Sequence, residues 1–274
     1  AVSATVVAEV SARVVDRQRG RALGWTLSGQ SLAILLGVPV AAALGESIGW
    51  RGVHLAVGVL SAIAGIALLI VLRRPAAGAA ARRASTNYRA ALSFRVLSLL
   101  VMAVTERSCY ALAATFFATY LMSAYDLPVS AIALPLAIFA GGNILGTLLG
   151  GQLADRLPNR LLTFAGAMVC AAVVALPLFL WQGGVAATVA LGFAFIFCNS
   201  TARPCLMASL SNVPEEVRGT VLGLNVTAAS IGWLGAAALG GLVLATFGFA
   251  GFAAMAAAFA LLGAGLAVAG RRLA

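Results

Sequence analysis

The chain has 274 residues, of which 62% are hydrophobic and 9% are charged, and its formal net charge is +10. A soluble domain is about 25% charged, so this chain has too little charge to cover a water-soluble globule of its size. The composition therefore excludes a soluble enzyme, a nucleic-acid-binding domain and a disordered chain, and it predicts an all-α membrane protein with several spans.

Apolar runs of about 20 residues are long enough to cross the hydrocarbon core of a bilayer. Eight such runs follow one another, at residues 22–45, 51–72, 94–122, 129–153, 161–182, 185–211, 218–246 and 249–270. Residues 1–15 are predicted to be the end of a further helix. The polar, Arg-rich segment 73–93 is predicted to link two bundles. The predicted domains are therefore 1–72, the linker 73–93, and a six-helix bundle over 94–274.

The basic residues, all of them arginines, are distributed as membrane topology requires. Arg and Lys accumulate in cytoplasmic loops. Arginines cluster before the first span, in the linker, after the fourth span, before the seventh span and at the C-terminus. The loops between these places carry almost none, and only Arg51 departs from the alternation. The pattern predicts that the linker and the C-terminus lie in the cytoplasm.

An internal repeat relates residues 19–52 to residues 218–251 without gaps. Arg19-Gly20 matches Arg218-Gly219 at the predicted cytoplasmic start, and Gly49 matches Gly248 at the outer turn. Two apolar helices can match by chance, but the agreement of loop and helix features favours a true repeat. Parallel repeats are a common plan of transporters, with the substrate bound between the halves. Equal halves would hold equal numbers of helices, so we expect about three and a half helices to be missing from the N-terminus.

Glu106 and Arg107 are ionisable residues inside the predicted span 94–122. They lie about 18 Å along the helix from its start, near the bilayer midplane. Ionisable groups at that depth are costly and are functional by default. Neighbouring helix positions diverge by about 100°, so we expect one side chain to face the central cavity and the other a neighbouring helix.

A carboxylate at this depth can take up and release a proton as access alternates, which makes Glu106 the candidate for proton coupling. Arg107 is a candidate for substrate binding or structural pairing. If it faces the cavity, it favours an anionic or phosphate-bearing substrate. The alternative is an ion pair with a structural role alone.

Further polar residues within the predicted spans are candidates for substrate binding. Interhelical packing or hydrogen bonding is the alternative for Tyr110 and Asn143, and snorkelling toward water is the alternative for Arg203. The sequence shows no catalytic motif, no phosphate-binding loop and no metal-ligand spacing, so it predicts neither an enzyme nor a cofactor. The candidates are Tyr110, Asn143, Asn199, Arg203, Gln30 and Asn225.

Two segments resemble the major facilitator superfamily of secondary transporters. Gly151–Arg160 is similar to its cytoplasmic loop motif, G-x-L-a-D-R-x-G-R-R/K, with Pro158-Asn159 in place of the internal Gly. The helix that follows Arg19-Gly20 contains Gly37 and Pro39 and ends near Gly49-Trp50-Arg51. It resembles the Gly- and Pro-rich fifth helix of the drug/proton antiporter branch, in the style of the arabinose-efflux-permease-like group. By this resemblance the chain covers the end of helix four to helix twelve.

The resemblance implies two pseudo-symmetric helical bundles in the inner membrane. They would export a small organic solute or drug by alternating access, with the proton gradient in place of a cofactor. The expected partners are the solute, the bilayer and the missing N-terminal helices. An uptake symporter and a membrane binding or receptor protein without transport are the alternatives.

The resemblance also implies two gating elements. Gly37 and Pro39 would form a seam between bundles that prevents proton leak, with generic tight packing as the alternative. Asp155 would dock near the N-terminus of the helix that begins at Arg19-Gly20 and stabilise the state closed to the cytoplasm, with a solvated loop charge as the alternative. The residues assigned to this element are Gly151, Asp155, Arg156, Arg160, Arg19, Gly20 and the repeat counterpart Arg218.

Overall fold

The structure is a computed structural model that describes residues 6, 10, 14–72, 93–128 and 131–271. Most side chains between residues 30 and 47 lie outside this description, as do nearly all of the predicted partial helix and linker. The longer elements of the described residues are helices, α1 (Asp16–Leu72), α2 (Phe94–Tyr125), α3 (Ala133–Arg156), α4 (Arg160–Leu180), α5 (Val185–Ser211), α6 (Glu215–Phe247) and α7 (Gly251–Arg271).

Seven stretches of the described residues are long and apolar enough to cross a membrane. One is Ile48–Ile70 in α1, and the other six lie in α2 to α7. They coincide with seven of the eight predicted spans, so the prediction of an all-α membrane fold is confirmed. The remaining predicted span, 22–45, lies within α1, where most side chains are outside the description.

Glycines interrupt the helical chain at the two turns that the internal repeat aligns. Gly49 breaks α1 with φ 69° and ψ 169°. Gly248 ends α6 with φ 64° and ψ −164°. Both values lie in a region that residues with a Cβ atom avoid. The matched backbone at matched positions supports the repeat, and it places the break of α1 in the predicted connection 46–50.

The chain divides into two compact units, one of residues 29–85 and one of residues 1–28 with 86–274. In the larger unit α2 packs against α5, α6 and α7, while α3 packs against α5, and α4 against α5 and α7. In a bilayer the lipid is as apolar as the side chains, so close packing and interhelical hydrogen bonds hold such helices together. The centre of α2 is therefore surrounded by protein on several sides.

The contact between α3 and α5 depends on glycines spaced four residues apart, Gly142, Gly146 and Gly150. A Cβ atom on Gly150 would overlap the backbone carbonyl of Thr201 on α5. This spacing of small residues is typical of helices that approach closely in membranes.

Gly150→Ala is therefore expected to destabilise the protein by about 1–3 kcal/mol through overpacking. The matched control is Gly166→Ala on α4, where an added methyl group meets nothing within 4 Å. That variant is expected to be neutral or slightly stabilising, because Ala favours a helix by up to about 1 kcal/mol over Gly. Unfolding in mixed detergent micelles measures both. Equal stability of the two variants would contradict the close approach.

Candidate functional site

Glu106 is buried in the middle of α2, with only 2% of its surface exposed. Its carboxylate meets two guanidinium groups. Nε of Arg203, on α5, lies 3.4 Å from Oε1, and Nη2 of Arg107 lies 3.8 Å from Oε2. The side chain of Arg107 is 17% exposed, against 3% for that of Glu106. Glu106 is thus directed at a neighbouring helix, and Arg107 is the more accessible of the two.

Helix spacing explains why the other members of this group meet there. Residues four apart share a helix face, which places Glu106 beside Tyr110 on α2 and Asn199 beside Arg203 on α5. The ring centroid of Tyr110 lies 5.1 Å from Cζ of Arg107 and 5.1 Å from Cζ of Arg203. Nδ2 of Asn199 donates to the backbone carbonyl of Glu106 at 3.3 Å. We call these five residues the charged cluster.

Three polar atoms of the charged cluster are buried without a hydrogen-bond partner among the described residues. They are Nη2 of Arg203, Nε of Arg107 and Oδ1 of Asn199. A buried polar atom without a partner costs about 1–3 kcal/mol. One carboxylate and two guanidinium groups also leave the cluster with a formal charge of +1. The cluster therefore offers two donors, one acceptor and a positive charge to a further polar group.

Trp233 on α6 borders the charged cluster, although the sequence alone did not indicate it as a candidate. Its ring centroid lies 5.5 Å from that of Tyr110. The preceding residue, Gly232, approaches α2 so closely that its carbonyl accepts a hydrogen bond from Ser108 at 3.1 Å. A small residue beside a large aromatic one in α6 was the available signal, but it does not say which helix lies opposite.

The remaining candidates for substrate binding lie in other contacts. Asn143 on α3 accepts a hydrogen bond from the hydroxyl of Ser200 on α5. Nδ2 of Asn225 on α6 lies 3.6 Å from Sδ of Met207. Gln30 has a side chain outside the described part of the structure. In the charged cluster, four of the predicted binding candidates thus surround the carboxylate of Glu106.

Asp155 joins the end of α3 to the start of α1. Its Oδ1 accepts a hydrogen bond from the backbone N–H of Gly20 at 2.6 Å, and its Oδ2 accepts one from Arg21 at 2.7 Å. A Cβ atom on Gly20 would lie 2.6 Å from Cβ of Ala154 and 2.8 Å from the carbonyl of Gly151, so glycine permits this approach. The family resemblance implied this position for Asp155. We call the pair of hydrogen bonds the Asp155 contact.

The other predicted gating residues lie near the Asp155 contact or in equivalent turns. Nε of Arg160 donates to the carbonyl of Ala154 at 3.1 Å and closes the turn between α3 and α4. Arg156 lines a surface groove together with Gln18, Arg21 and Asp155. Nη2 of Arg218 donates to the carbonyl of Val213 at 3.5 Å, before α6. The side chains of Arg19 and Pro39, and the surroundings of Gly37, lie outside the description.

A protein-family model and several known proteins match most of this chain. A family model described as Major Facilitator Superfamily matches residues 1–237 and 99–272. "Inner membrane transport protein YdhP" of Escherichia coli O157:H7 is 33% identical over 247 residues, 88% of this chain and 61% of that protein. The protein of the same name from strain K12 is 32% identical over 245 residues, with the same coverage.

A third relative is the "Chloramphenicol resistance protein" of Streptomyces lividans. It is 31% identical over 170 residues, which are 61% of this chain and 43% of that protein. The chain spans about three-fifths of the length of the two Escherichia coli relatives, 61% in each case.

Proposed function

The chain belongs to the major facilitator superfamily, and we propose that it is part of a secondary transporter that exports a small organic solute in exchange for protons. The observation that carries the proposal is the buried carboxylate of Glu106 within 4 Å of two guanidinium groups. Ionisable residues at this depth face the interior of a transporter and mark pathways for protons or substrates.

A proton on Glu106 changes the partners of every charged group around it. The charged and titratable groups near its carboxylate are Arg107, Cys109 and Tyr110 on α2 and Arg203 on α5. Protonation cancels the negative charge and weakens both ion pairs, which frees the guanidinium groups. In an exchanger of this kind the solute and the proton compete for one site. Because linkage between two ligands is reciprocal, each lowers the affinity of the site for the other by the same factor. A solute group that binds the ionised carboxylate competes with the proton in this way.

The Asp155 contact supplies the second part of the proposal. Charge-assisted hydrogen bonds to backbone N–H groups are about twice as strong as neutral ones. The contact joins the start of α1 to the six-helix bundle, so it stabilises a state in which this end is closed. With the predicted topology, that end lies on the cytoplasmic side of the inner membrane. Gly37 and Pro39 of α1 remain the proposed seam against proton leak.

The exchange can be tested in sealed vesicles that contain the protein as its natural gene encodes it. Chloramphenicol and phenylalanine serve as probes, the first because a relative is named for it and the second because it carries both charge signs. Without an imposed gradient, either probe that enters in exchange for protons raises the internal pH. Entry together with protons lowers the internal pH and would indicate an uptake symporter. No change with either probe, relative to protein-free vesicles, would refute proton-coupled transport of these solutes.

A further inference from the structure

The charged cluster holds groups of opposite charge that do not fully satisfy each other. The contacts of Glu106 with Arg203 and Arg107 measure 3.4 Å and 3.8 Å. Charge-assisted hydrogen bonds between such groups are about 2.7–2.9 Å long. The carboxylate can accept about four hydrogen bonds. Its oxygens therefore have capacity for a cationic or hydrogen-bond-donating group.

The donors without partners belong to the same cluster. Nη2 of Arg203 and Nε of Arg107 are buried and lack an acceptor among the described residues. A carboxylate is the natural complement of guanidinium N–H groups, which bind it in a planar fork. Oδ1 of Asn199 is a buried acceptor that also lacks a partner among the described residues. Nδ2 of the same side chain donates to the backbone carbonyl of Glu106. The site thus presents acceptors and donors side by side.

An aromatic wall borders these groups. Tyr110 packs between the two guanidinium groups, and Trp233 packs against Tyr110. Tyr110 is half-buried, Trp233 is exposed, and the side chain of Arg107 is partly accessible. An apolar or aromatic body can rest on this wall while its polar groups reach the charged cluster.

We infer that the charged cluster binds a zwitterionic solute with an ammonium and a carboxylate close together on an apolar or aromatic body, as in an α-amino acid. The carboxylate accepts from Arg203 and Arg107, and the ammonium donates to Glu106 and Asn199. This arrangement gives a partner to each of the three unpartnered atoms. It also makes the ammonium compete with the proton for Glu106. The inference rests on the proposed exchange for its physiological role, but the binding itself can be measured without transport.

Three probes of matched shape test the inference on the purified protein, as its natural gene encodes it, in lipid nanodiscs. Phenylalanine carries both poles, 3-phenylpropanoate only the carboxylate and 2-phenylethylamine only the ammonium. Phenylalanine is expected to bind at least about tenfold more tightly than either, because each pole forms charge-assisted hydrogen bonds. The amine is expected to be the weakest, because the cluster has a formal charge of +1. Calorimetry at one pH gives all three dissociation constants.

Variants then assign the poles to residues. Glu106→Gln is expected to reduce the preference for phenylalanine over 3-phenylpropanoate. Arg203→Gln is expected to reduce the preference for phenylalanine over 2-phenylethylamine. Arg51→Gln is the matched control. Arg51 stacks on Trp50 with Cζ 5.1 Å from the ring centroid, as Arg107 does on Tyr110, but it is exposed and lies in the other unit. Its removal is expected to leave the binding order unchanged.

The outcomes separate this inference from the proposed exchange. Binding of 3-phenylpropanoate as tight as that of phenylalanine would overturn the zwitterion and indicate a site for plain anions. No binding of any probe would overturn the inference as well. If chloramphenicol still raised the internal pH of vesicles in either case, the proposed exchange would stand. Selective binding of phenylalanine without any change of internal pH would support the inference and refute the exchange.

Discussion

Glu106→Gln is expected to abolish proton exchange in sealed vesicles. The amide keeps the shape of the side chain but cannot take up a proton at accessible pH. The internal pH change that follows addition of an exported solute should therefore fall to that of protein-free vesicles. Solute movement down its own gradient can persist, because the path for the solute does not require a proton. A variant that still exchanges protons at the wild-type rate would show that another residue couples transport.

The same substitution is expected to lower stability. It leaves the buried Arg203 and the partly accessible Arg107 beside an uncharged amide. Removal of one partner of a buried ion pair costs on the order of 3–5 kcal/mol, since the remaining charge is not compensated. Thermal unfolding should therefore occur well below the wild-type temperature. This effect alone would reduce transport, so a second variant is needed to separate the two causes.

The double variant Glu106→Gln/Arg203→Gln provides that separation. It removes one negative and one positive charge together, and the cluster keeps its formal charge of +1. We expect it to recover part of the lost stability but none of the proton exchange. A stable double variant that exchanges protons would exclude Glu106 as the coupling group. A double variant as unstable as Glu106→Gln would show that the uncompensated charge of Arg203 is not the cause of the lost stability.

Features with a local chemical signature could be predicted from the sequence. Gly49 and Gly248 were placed at turns by the repeat, and both have a positive φ. The approach of Asp155 to the start of α1 was implied by the loop motif that resembles the major facilitator superfamily. The ends of the helices were predicted less accurately. The predicted span 94–122 continues to Tyr125, and the next residue, Asp126, ends the helix in a left-handed conformation with φ 50°. Asn and Asp tolerate that conformation better than most residues.

The pairing of Arg203 with Glu106 could not be predicted in the same way. Helix periodicity places Asn199 and Arg203 on one face of α5, but it does not say which helix that face meets. That choice depends on the packing of six helices, and in particular on glycines of α3 and α6 that admit close neighbours. Trp233 was missed for the same reason, because its role depends on the approach of Gly232 to α2.

Asp155→Asn is expected to open the end of the bundle that the Asp155 contact is proposed to close. An asparagine keeps one acceptor but presents N–H donors where the second oxygen stood, opposite the N–H of Gly20 or Arg21. The loss of one charge-assisted hydrogen bond should shift the equilibrium toward the open state by about tenfold or more. Asp126→Asn is the matched control, because Asp126 is an exposed carboxylate at the C-terminal end of α2, outside this contact.

Labelling of an introduced cysteine measures the shift. Ser98 lines a cavity of about 1090 Å³ beside Asp155, so Ser98→Cys reports access from that end. Cys170 is exposed and Cys198 partly exposed, so both are first replaced by Ser to remove background reaction. The labelling rate of Ser98→Cys should rise with Asp155→Asn and stay constant with Asp126→Asn. Equal rates in all three proteins would show that Asp155 does not act as a latch.

Gly20→Ala tests the same contact from the other side without a change of charge. Its new methyl group would lie 2.6 Å from Cβ of Ala154 and 2.7 Å from Oδ1 of Asp155, so α1 and α3 must separate. Gly219 is the counterpart of Gly20 in the repeat, and a Cβ atom there meets nothing within 4 Å. Gly20→Ala should therefore raise the labelling of Ser98→Cys as Asp155→Asn does, whereas Gly219→Ala should not. Because one variant changes charge and the other only size, the same result from both would attribute closure to the contact itself.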